Sequence, residues 1–325
     1  MKDCYSISFI VIGRNQERTI YNCIKSILDS IKFLSLENYE VIYVDSMSED
    51  NTIDIIKQYF EKRVCVYRIS GYMNAAIGRN FGSSVAKGDV LFFIDGDMEI
   101  NPKFLSKVYC ENSGLKYDFI SGKLKENIFN KQWVKVRTIE DRYNVSKETY
   151  SGIVGGVFLI KASLFNNIGG FRNEMRINED TDFSLRLAKN KILLLRIPET
   201  IALHNTFDLN NYSTAMRRIL RGDQLYSGLL LRRHIFNKYF YKEFIDRHKM
   251  TFILLISILL SIYIHPICML IYPLAIFIKQ IRYKMKNFGT ALIGRFLNDV
   301  LFLAGILFFY KKPIDSSKIQ FKKLM

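Results

Sequence analysis

No GxxxxGK[ST] phosphate loop and no GxGxxG fingerprint occurs in this chain, which argues against an ATPase or a dinucleotide enzyme. Its five cysteines, Cys4, Cys23, Cys65, Cys110 and Cys268, include no CxxC pair and no cluster, so neither a zinc site nor a disulfide framework is supported and a reducing compartment is expected. The opening "MKDCYSISFIVIGRNQER" lacks a secretory core: its apolar stretch is short, is broken by Arg14 and alternates like a strand. There is one tryptophan, Trp133, and no internal repeat or low-complexity segment. Residues 250–278 contain no Lys, Arg, Asp or Glu.

The net charge of +16 is spread unevenly. Residues 213–249 hold nine Lys/Arg against three acids, and 279–325 hold ten against two, so the basic excess brackets the apolar segments. That arrangement fits attraction to anionic lipid headgroups better than nucleic acid, which is not expected as a partner. The run 250–278 is 29 residues long where about 20 cross a bilayer. Both flanks are basic, however, so a hairpin bent near His265 and Pro266 that returns to its own side fits at least as well as a span. A second apolar stretch, 288–310, carries Arg295 and Asp299 at i, i+4 spacing, where they can pair. Residues 212–249 read as basic amphipathic helix suited to a membrane interface.

The first 120 residues alternate between apolar runs and helical periodicity. Strands are expected at 6–12, 40–45, 64–69 and 89–95, with helices near 17–28, 52–59 and 74–86 between them. Further strands are expected at 119–124, 156–161 and 192–196, whereas 125–150 carries no clear pattern. Fully apolar strands joined through helices imply a mostly parallel α/β sheet covered on both faces, with ligands beyond the carboxyl ends of its strands. Asp45 and Asp95 stand at two such ends.

Residues 91–102, "LFFIDGDMEINP", place Asp95 and Asp97 directly after a buried run. Two carboxylates so close repel each other and are costly when buried unless something positive sits between them, and a divalent cation serves. Taken alone, Asp-Gly is also a common turn.

Four segments in order, "VDSMSEDNT", "RNFGSSVAKGDVLFFIDGDMEINP", "GIVGGVFLIKASLFNNIGGF" and "NEDTDFSLRL", resemble the inverting glycosyltransferases of family 2, over roughly residues 5–206. The resemblance implies a GT-A-like fold and a nucleotide-diphosphate sugar donor. It implies that Asp97 binds Mg2+ or Mn2+ while Asp95 reaches the ribose or the metal shell, and Gly96 between them lets a pyrophosphate approach the backbone. Asp45 and Ser46, with Gly13, Asn15 and Glu17 after the first strand, would surround the nucleoside, and Arg79 would meet donor phosphate. Asp180 matches the catalytic base, the chemistry needing a carboxylate to take the acceptor hydroxyl's proton; its plain alternative is a helix N-cap. Glu179 and Asp182 would offset the helix N-terminus by like-charge repulsion. His204 falls where many relatives have a third metal ligand, though a lone histidine there is as well read as hydrogen-bonded only. Gly155 and Gly156 would offer flat backbone to an acceptor sugar, or only turns.

The Gln-x-x-Arg-Trp signature of processive members is missing, since "MRRILRGDQLYSG" has no tryptophan. Transfer of a single sugar to a polyprenyl-diphosphate-linked glycan at the cytoplasmic membrane face is therefore expected. The domains are expected as 1–211 catalytic, 212–249 interfacial and 250–325 membrane helices with a basic tail. A nucleotidyltransferase, or a silent scaffold that binds nucleotide sugar and membrane, are the alternatives.

Overall fold

The computed structural model describes residues 4–208, 212–282 and 288–325. The chain divides into two compact units, Met1–Asp208 with Lys312–Met325, and Leu209–Lys311.

In the first unit the apolar runs form β1 (Ile7–Gly13), β2 (Tyr39–Asp45), β3 (Cys65–Gly71) and β4 (Val90–Asp95), parallel in the spatial order β4-β1-β2-β3. Helices α1 (Ile20–Leu34), α2 (Thr52–Phe60) and α3 (Ala75–Val85) connect them. The strands are apolar throughout because both faces are covered. Ile7, Phe9, Val11 and Tyr43 pack with Ile20, Ile24, Ile27 and Ile56 of α1 and α2. On the opposite face Ile12, Ile42 and Val44 meet Ile77 and Phe81 of α3. Helix α1 starts three residues later than expected because the Thr19 and Ile20 N–H groups both donate to the Gln16 carbonyl, forming a turn first. It continues to Leu34 because the apolar face repeats at Ile24, Ile27 and Ile31.

Next come β5 (Met98–Ile100), α4 (Pro102–Val108), β6 (Tyr109–Cys110), β7 (Gly114–Leu115), β8 (Phe119–Phe129), β9 (Lys135–Ile139), β10 (Thr149–Ser151), β11 (Phe158–Lys161), α5 (Ala162–Asn167), α6 (Glu179–Lys189) and β12 (Leu194–Phe207). A last strand, β13 (Ile319–Lys323), follows the second unit. The sheet is mixed, in the order β10-β12-β8-β11-β4-β1-β2-β3-β13, with β5 on β12 and β9 on β8. Strands β8 and β12 run well past the lengths expected, because they pair in parallel from Leu195–Ile120 to Phe207–Phe129, with a register break between Arg196 and Ala202. This long pair carries site residues that short strands would not reach. Phe93, Phe119, Phe158, Phe165, Phe171 and Phe183 fill the core beneath α5 and α6.

Residues 312–325, expected as a basic tail, instead finish the sheet. β13 lies antiparallel on β3, the Phe321 ring packs tilted on Phe81 with centroids 4.4 Å apart, and Val66 N–H donates to the Met325 carbonyl (3.1 Å). Exposed Lys322 and Lys323 keep this edge from pairing further. Deleting 312–325 is expected to cost on the order of 1–5 kcal/mol, at about 0.2–1 kcal/mol per cross-strand pair, and to expose the β3 edge to aggregation. Thermal melts and light scattering of the truncated protein check this.

The second unit is helical: α7 (Tyr212–Leu220), α8 (Asp223–His234), α9 (Lys238–Tyr263), a 3-10 turn at Pro266–Leu270, α10 (Ile271–Arg282) and α11 (Phe288–Leu307). The chain bends at His265–Pro266, where the hairpin was expected, and α9 is kinked at His248. Gly289–Leu307 is the one helix among the described residues long and apolar enough to cross a membrane, and His248–Tyr263 and Pro266–Ile281 are shorter apolar helices. The Arg295 and Asp299 pair forms in α11, bidentate at 2.6 and 3.1 Å. Asp299 is buried and also accepts from Thr251 Oγ1 and Tyr272 OH, both at 2.7 Å, so one carboxylate joins α9, α10 and α11.

Candidate active site

Register brings the carboxyl ends of the central strands to one rim: Gly13 stands beside Asp45, and Ile12 beside Asp95. A cleft of ≈ 560 Å³ opens there, its walls including Gly13, Ser46, Arg79, Asp95, Asp97 and Asp180. Both halves of the unit contribute walls, since Asp95 ends β4 and Asp97 follows it while Glu179 and Asp180 open α6.

Arg79 joins these walls. Its guanidinium is 4% exposed, donates to Asp95 Oδ1 and Glu179 Oε1 at 2.8 Å each, and lies over the Phe171 ring. Burial alone would favour the neutral form, but Asp95, Glu179 and Asp180 outweigh it and hold the arginine charged. Burial raises the Asp95 pKa against the opposing pull of Arg79, with Asp97 adding to the rise. Glu179 is likewise raised, by burial first and then by the Asp180 charge. Arg79 thus sits in the cleft wall with two of its nitrogens committed to protein carboxylates. A donor phosphate meeting it, as the resemblance implies, would share an arginine whose first task is to neutralise the site.

Asp180 is the second residue of α6; Asn178, in a left-handed conformation, is the N-cap, so the plain capping alternative for Asp180 does not hold. Its Oδ1 accepts from the Thr181 N–H (2.7 Å). Asp182 does not supply the expected repulsion: it is fully buried and neutralised by Arg172 (2.8 Å) and Arg186 (2.9 Å). Glu179 shares the charge of Arg79, so the like-charge offset comes from neither residue unopposed.

Asp97 faces His204 of β12, with Nε2 3.2 Å from Asp97 Oδ2, while the other ring nitrogen, Nδ1, is 3.1 Å from Glu126 Oε1. Burial alone would lower the His204 pKa, but the hydrogen bonds to Asp97 and Glu126 carry it up to about 10. The same histidine lowers the pKa of Glu126. Sequence reasoning missed Glu126, which lies directly across from His204 in the β8–β12 pair. The available signal was a glutamate between Leu124 and Ile128 at the inward positions of an alternating strand.

Among the described residues, no group of three or more His, Cys, Asp or Glu side chains is arranged to enclose a metal ion by itself. The donor set nevertheless fits one. Asp97 Oδ1 is buried with no hydrogen-bond partner, an imidazole nitrogen lies beside the same carboxylate, and Asp95 lines the same cleft. One or two carboxylates completed by substrate phosphates is the usual way such chains hold Mg2+.

The expected nucleoside residues divide. Gly13 and Ser46 line the cleft, and Ser46 N–H donates to the Gly13 carbonyl (2.9 Å). A side chain at Gly13 would strike the Tyr43 hydroxyl, so close approach there needs glycine. Asn15 and Glu17 lace the first loop to the second: Asn15 Oδ1 accepts from Glu49 N–H (2.9 Å), and Glu17 Oε2 holds Asn51. Asp45 has no exposed surface; Arg68 Nε donates to it at 2.7 Å and Ser48 N–H at 3.2 Å. It shapes the rim, and Ser46 presents to the cleft. Gly96 N–H donates to the Ile12 carbonyl (2.9 Å), fixing the turn between the paired aspartates. Gln16 and Asn74, not singled out in the sequence, also line the cleft.

Gly156 lines it too, and a Cβ there would lie 2.2 Å from Asp95 Oδ2. Gly156→Ala is expected to displace Asp95 and lower turnover by about 10²-fold, the scale for a misplacement of about 1 Å. Steady-state rates with circular dichroism as a folding control check it.

The model of the glycosyl transferase family 2 matches residues 8–169, and that described as the N-terminal domain of galactosyltransferase matches 138–209. The chain belongs to glycosyltransferase family 2. The family 2 domain is 29% identical over 186 residues to an uncharacterized glycosyltransferase of Haemophilus influenzae, covering 56% of this chain and 61% of that protein. It is 32% identical over 91 residues to the UDP-Glc:alpha-D-GlcNAc-diphosphoundecaprenol beta-1,3-glucosyltransferase WfaP of Escherichia coli, covering 28% of this chain and 35% of that protein. The chain thus spans less than two thirds of the length of either relative. Its fold is like that of GalNAc-T7, solved with UDP, GalNAc and Mn2+, with a TM-score of 0.50 at 14% identity over 77% of this chain and 55% of that one. That likeness places the family 2 domain in the GT-A class.

Proposed function

We propose that this family 2 glycosyltransferase moves a single sugar, with inversion, from a uridine or guanosine diphosphate sugar to a polyprenyl-diphosphate-linked glycan at the cytoplasmic membrane face. The observation that carries the reading is the convergence of Asp95, Asp97 and Asp180 on one cleft from opposite halves of the unit. The nucleotide-sugar chemistry follows the donor and acceptor in the E. coli relative's name, and the membrane placement follows the apolar helices and their basic flanks.

Asp97, with Asp95 and with His204 once its Nε2 proton is displaced, would hold a divalent cation whose charge stabilises the departing diphosphate. Glu126 keeps the His204 ring oriented through Nδ1, leaving Nε2 toward Asp97. Gly13 and Ser46 give the nucleoside a backbone surface it can approach. Asp180 takes the proton of the acceptor hydroxyl as that oxygen bonds to the anomeric carbon. The anomeric carbon–oxygen bond to the diphosphate breaks in line, and its electron pair leaves with the diphosphate.

Thermal melts with uridine and guanosine diphosphate sugars, each with and without Mn2+, test the donor. A donor at about 100 times its Kd is expected to add about 2.7 kcal/mol of stability. In Asp97→Ala the Mn2+-dependent part of that stabilisation should vanish. Stabilisation by no nucleotide sugar, or one equal with and without Mn2+ in both proteins, overturns the metal-assisted reading.

A further inference from the structure

We infer that the second unit is a monotopic anchor: its hairpin dips into one leaflet and no helix crosses. This rests on the membrane reading above and assigns its topology. The first observation is connectivity. The chain leaves the sheet at Asp208 and returns to it at β13, so both ends of the helical unit belong to one folded domain. A folded domain stays on one side of a bilayer, which excludes any odd number of crossings.

Depth then decides between none and two. From Thr251 to Tyr263 the uncharged part of α9 is about 20 Å long at 1.5 Å per residue, more than the ~15 Å of one leaflet and short of the ~30 Å of both. At the bend, Ile262, Tyr263, Ile264 and Ile267 are each more than 60% exposed, an apolar tip with nothing from the protein over it. The break in the helix there is satisfied internally, since His265 Nδ1 accepts from Ile267 N–H (3.2 Å), as irregular backbone in hydrocarbon requires. Basic residues bracket the hairpin on both sides, which suits an anionic surface at its mouth.

Helix α11 is long enough to cross but is held elsewhere. Phe302 stacks on His248 (4.0 Å) and meets Phe244, both before the uncharged part of α9. Gly228 of α8 fits so closely that a Cβ there would lie 2.3 Å from the Phe302 carbonyl. Arg232 of α8 donates to the Ile306 (3.0 Å) and Phe309 carbonyls, capping the end of α11. The second half of α11 is therefore packed on charged helices, and Gly294 in its first half lies against Ile219 of α7, so α11 has no free stretch of the ~30 Å needed to cross.

Native cysteines report the topology. Cys110 is exposed in the catalytic unit and Cys268 lies in the hairpin turn, and Lys311→Cys adds a reporter at the return. Sealed membrane vesicles of both orientations, treated with a membrane-impermeant maleimide and read by peptide mass spectrometry, give the answer. Cys110 and position 311 should label from the same single side, with Cys268 protected from both sides until detergent is added. Ile267→Cys repeats the measurement at a more exposed tip position. Labelling of the tip from the side opposite Cys110, or of position 311 opposite Cys110, overturns the proposal. Recovery of the protein in the soluble fraction, with the tip labelled without detergent, defeats the membrane reading itself and is a distinct result.

Discussion

Asp180→Asn should lower sugar transfer by about 10²–10⁴-fold, the range of a positioned general base, while donor affinity with Mn2+ stays within about twofold of the parent. The carboxamide keeps the size of the side chain and its acceptor oxygen toward Thr181 N–H, so the N-terminus of α6 is undisturbed. Stability should hold or rise slightly, because the Asp180 charge is one of the causes raising the Glu179 pKa, and its removal relieves a like-charge contact beside a buried carboxylate. Transfer assays run alongside donor titrations separate the two effects. Equal loss of donor affinity and turnover would mean that Asp180 binds the donor, and unchanged turnover would remove it from the mechanism. A silent scaffold differs from both, showing no transfer before the substitution.

The largest effect on stability is expected at Arg79. Arg79→Met keeps the length of the stem but strips the cation from between Asp95 and Glu179, leaving two carboxylates in a buried wall. Removing one partner of a buried ion pair costs about 3–5 kcal/mol. At about 2–4 °C per kcal/mol for a domain of this size, Tm should fall by roughly 6–20 °C. The sign of the pH dependence follows from the raised pKa values of Asp95 and Glu179. A carboxyl whose folded pKa is raised binds more protons folded than unfolded, so its contribution favours the fold at low pH and is lost as pH rises through the folded value. Without Arg79 both values climb further, and the deficit should be greatest above them and shrink on acidification. Urea midpoints of parent and variant at pH 5 and pH 8 check this. A deficit that is the same at both pH values would show that lost packing on Phe171, rather than charge, is what Arg79 supplies.

How far the site could be read beforehand depends on the distance over which each residue acts. Asp95, Asp97, Gly13 and Ser46 were readable because a strand end places its own next residues at the rim, and strand ends show in the apolar pattern. Asp180 needed a motif, since its helix reaches the cleft only by packing across the sheet. Asp45 shows the limit: it does end β2, but whether its carboxylate faces a ligand or Arg68 depends on a strand 23 residues further on. Glu126 and His204 are 78 residues apart and are neighbours only because β8 and β12 keep parallel register past a bulge.

By itself the sequence determined the alternating α/β order, the covered parallel core, the acidic strand end and the uncharged hairpin with its bend, because all of these follow from local periodicity and charge along one stretch of chain. Only the tertiary structure decided that Arg79 is spent between two carboxylates, that Asp182 is neutralised, and that the basic C-terminal tail is an edge strand. Each of those is a pairing between segments remote in sequence, and its energy depends on register and burial that composition does not carry.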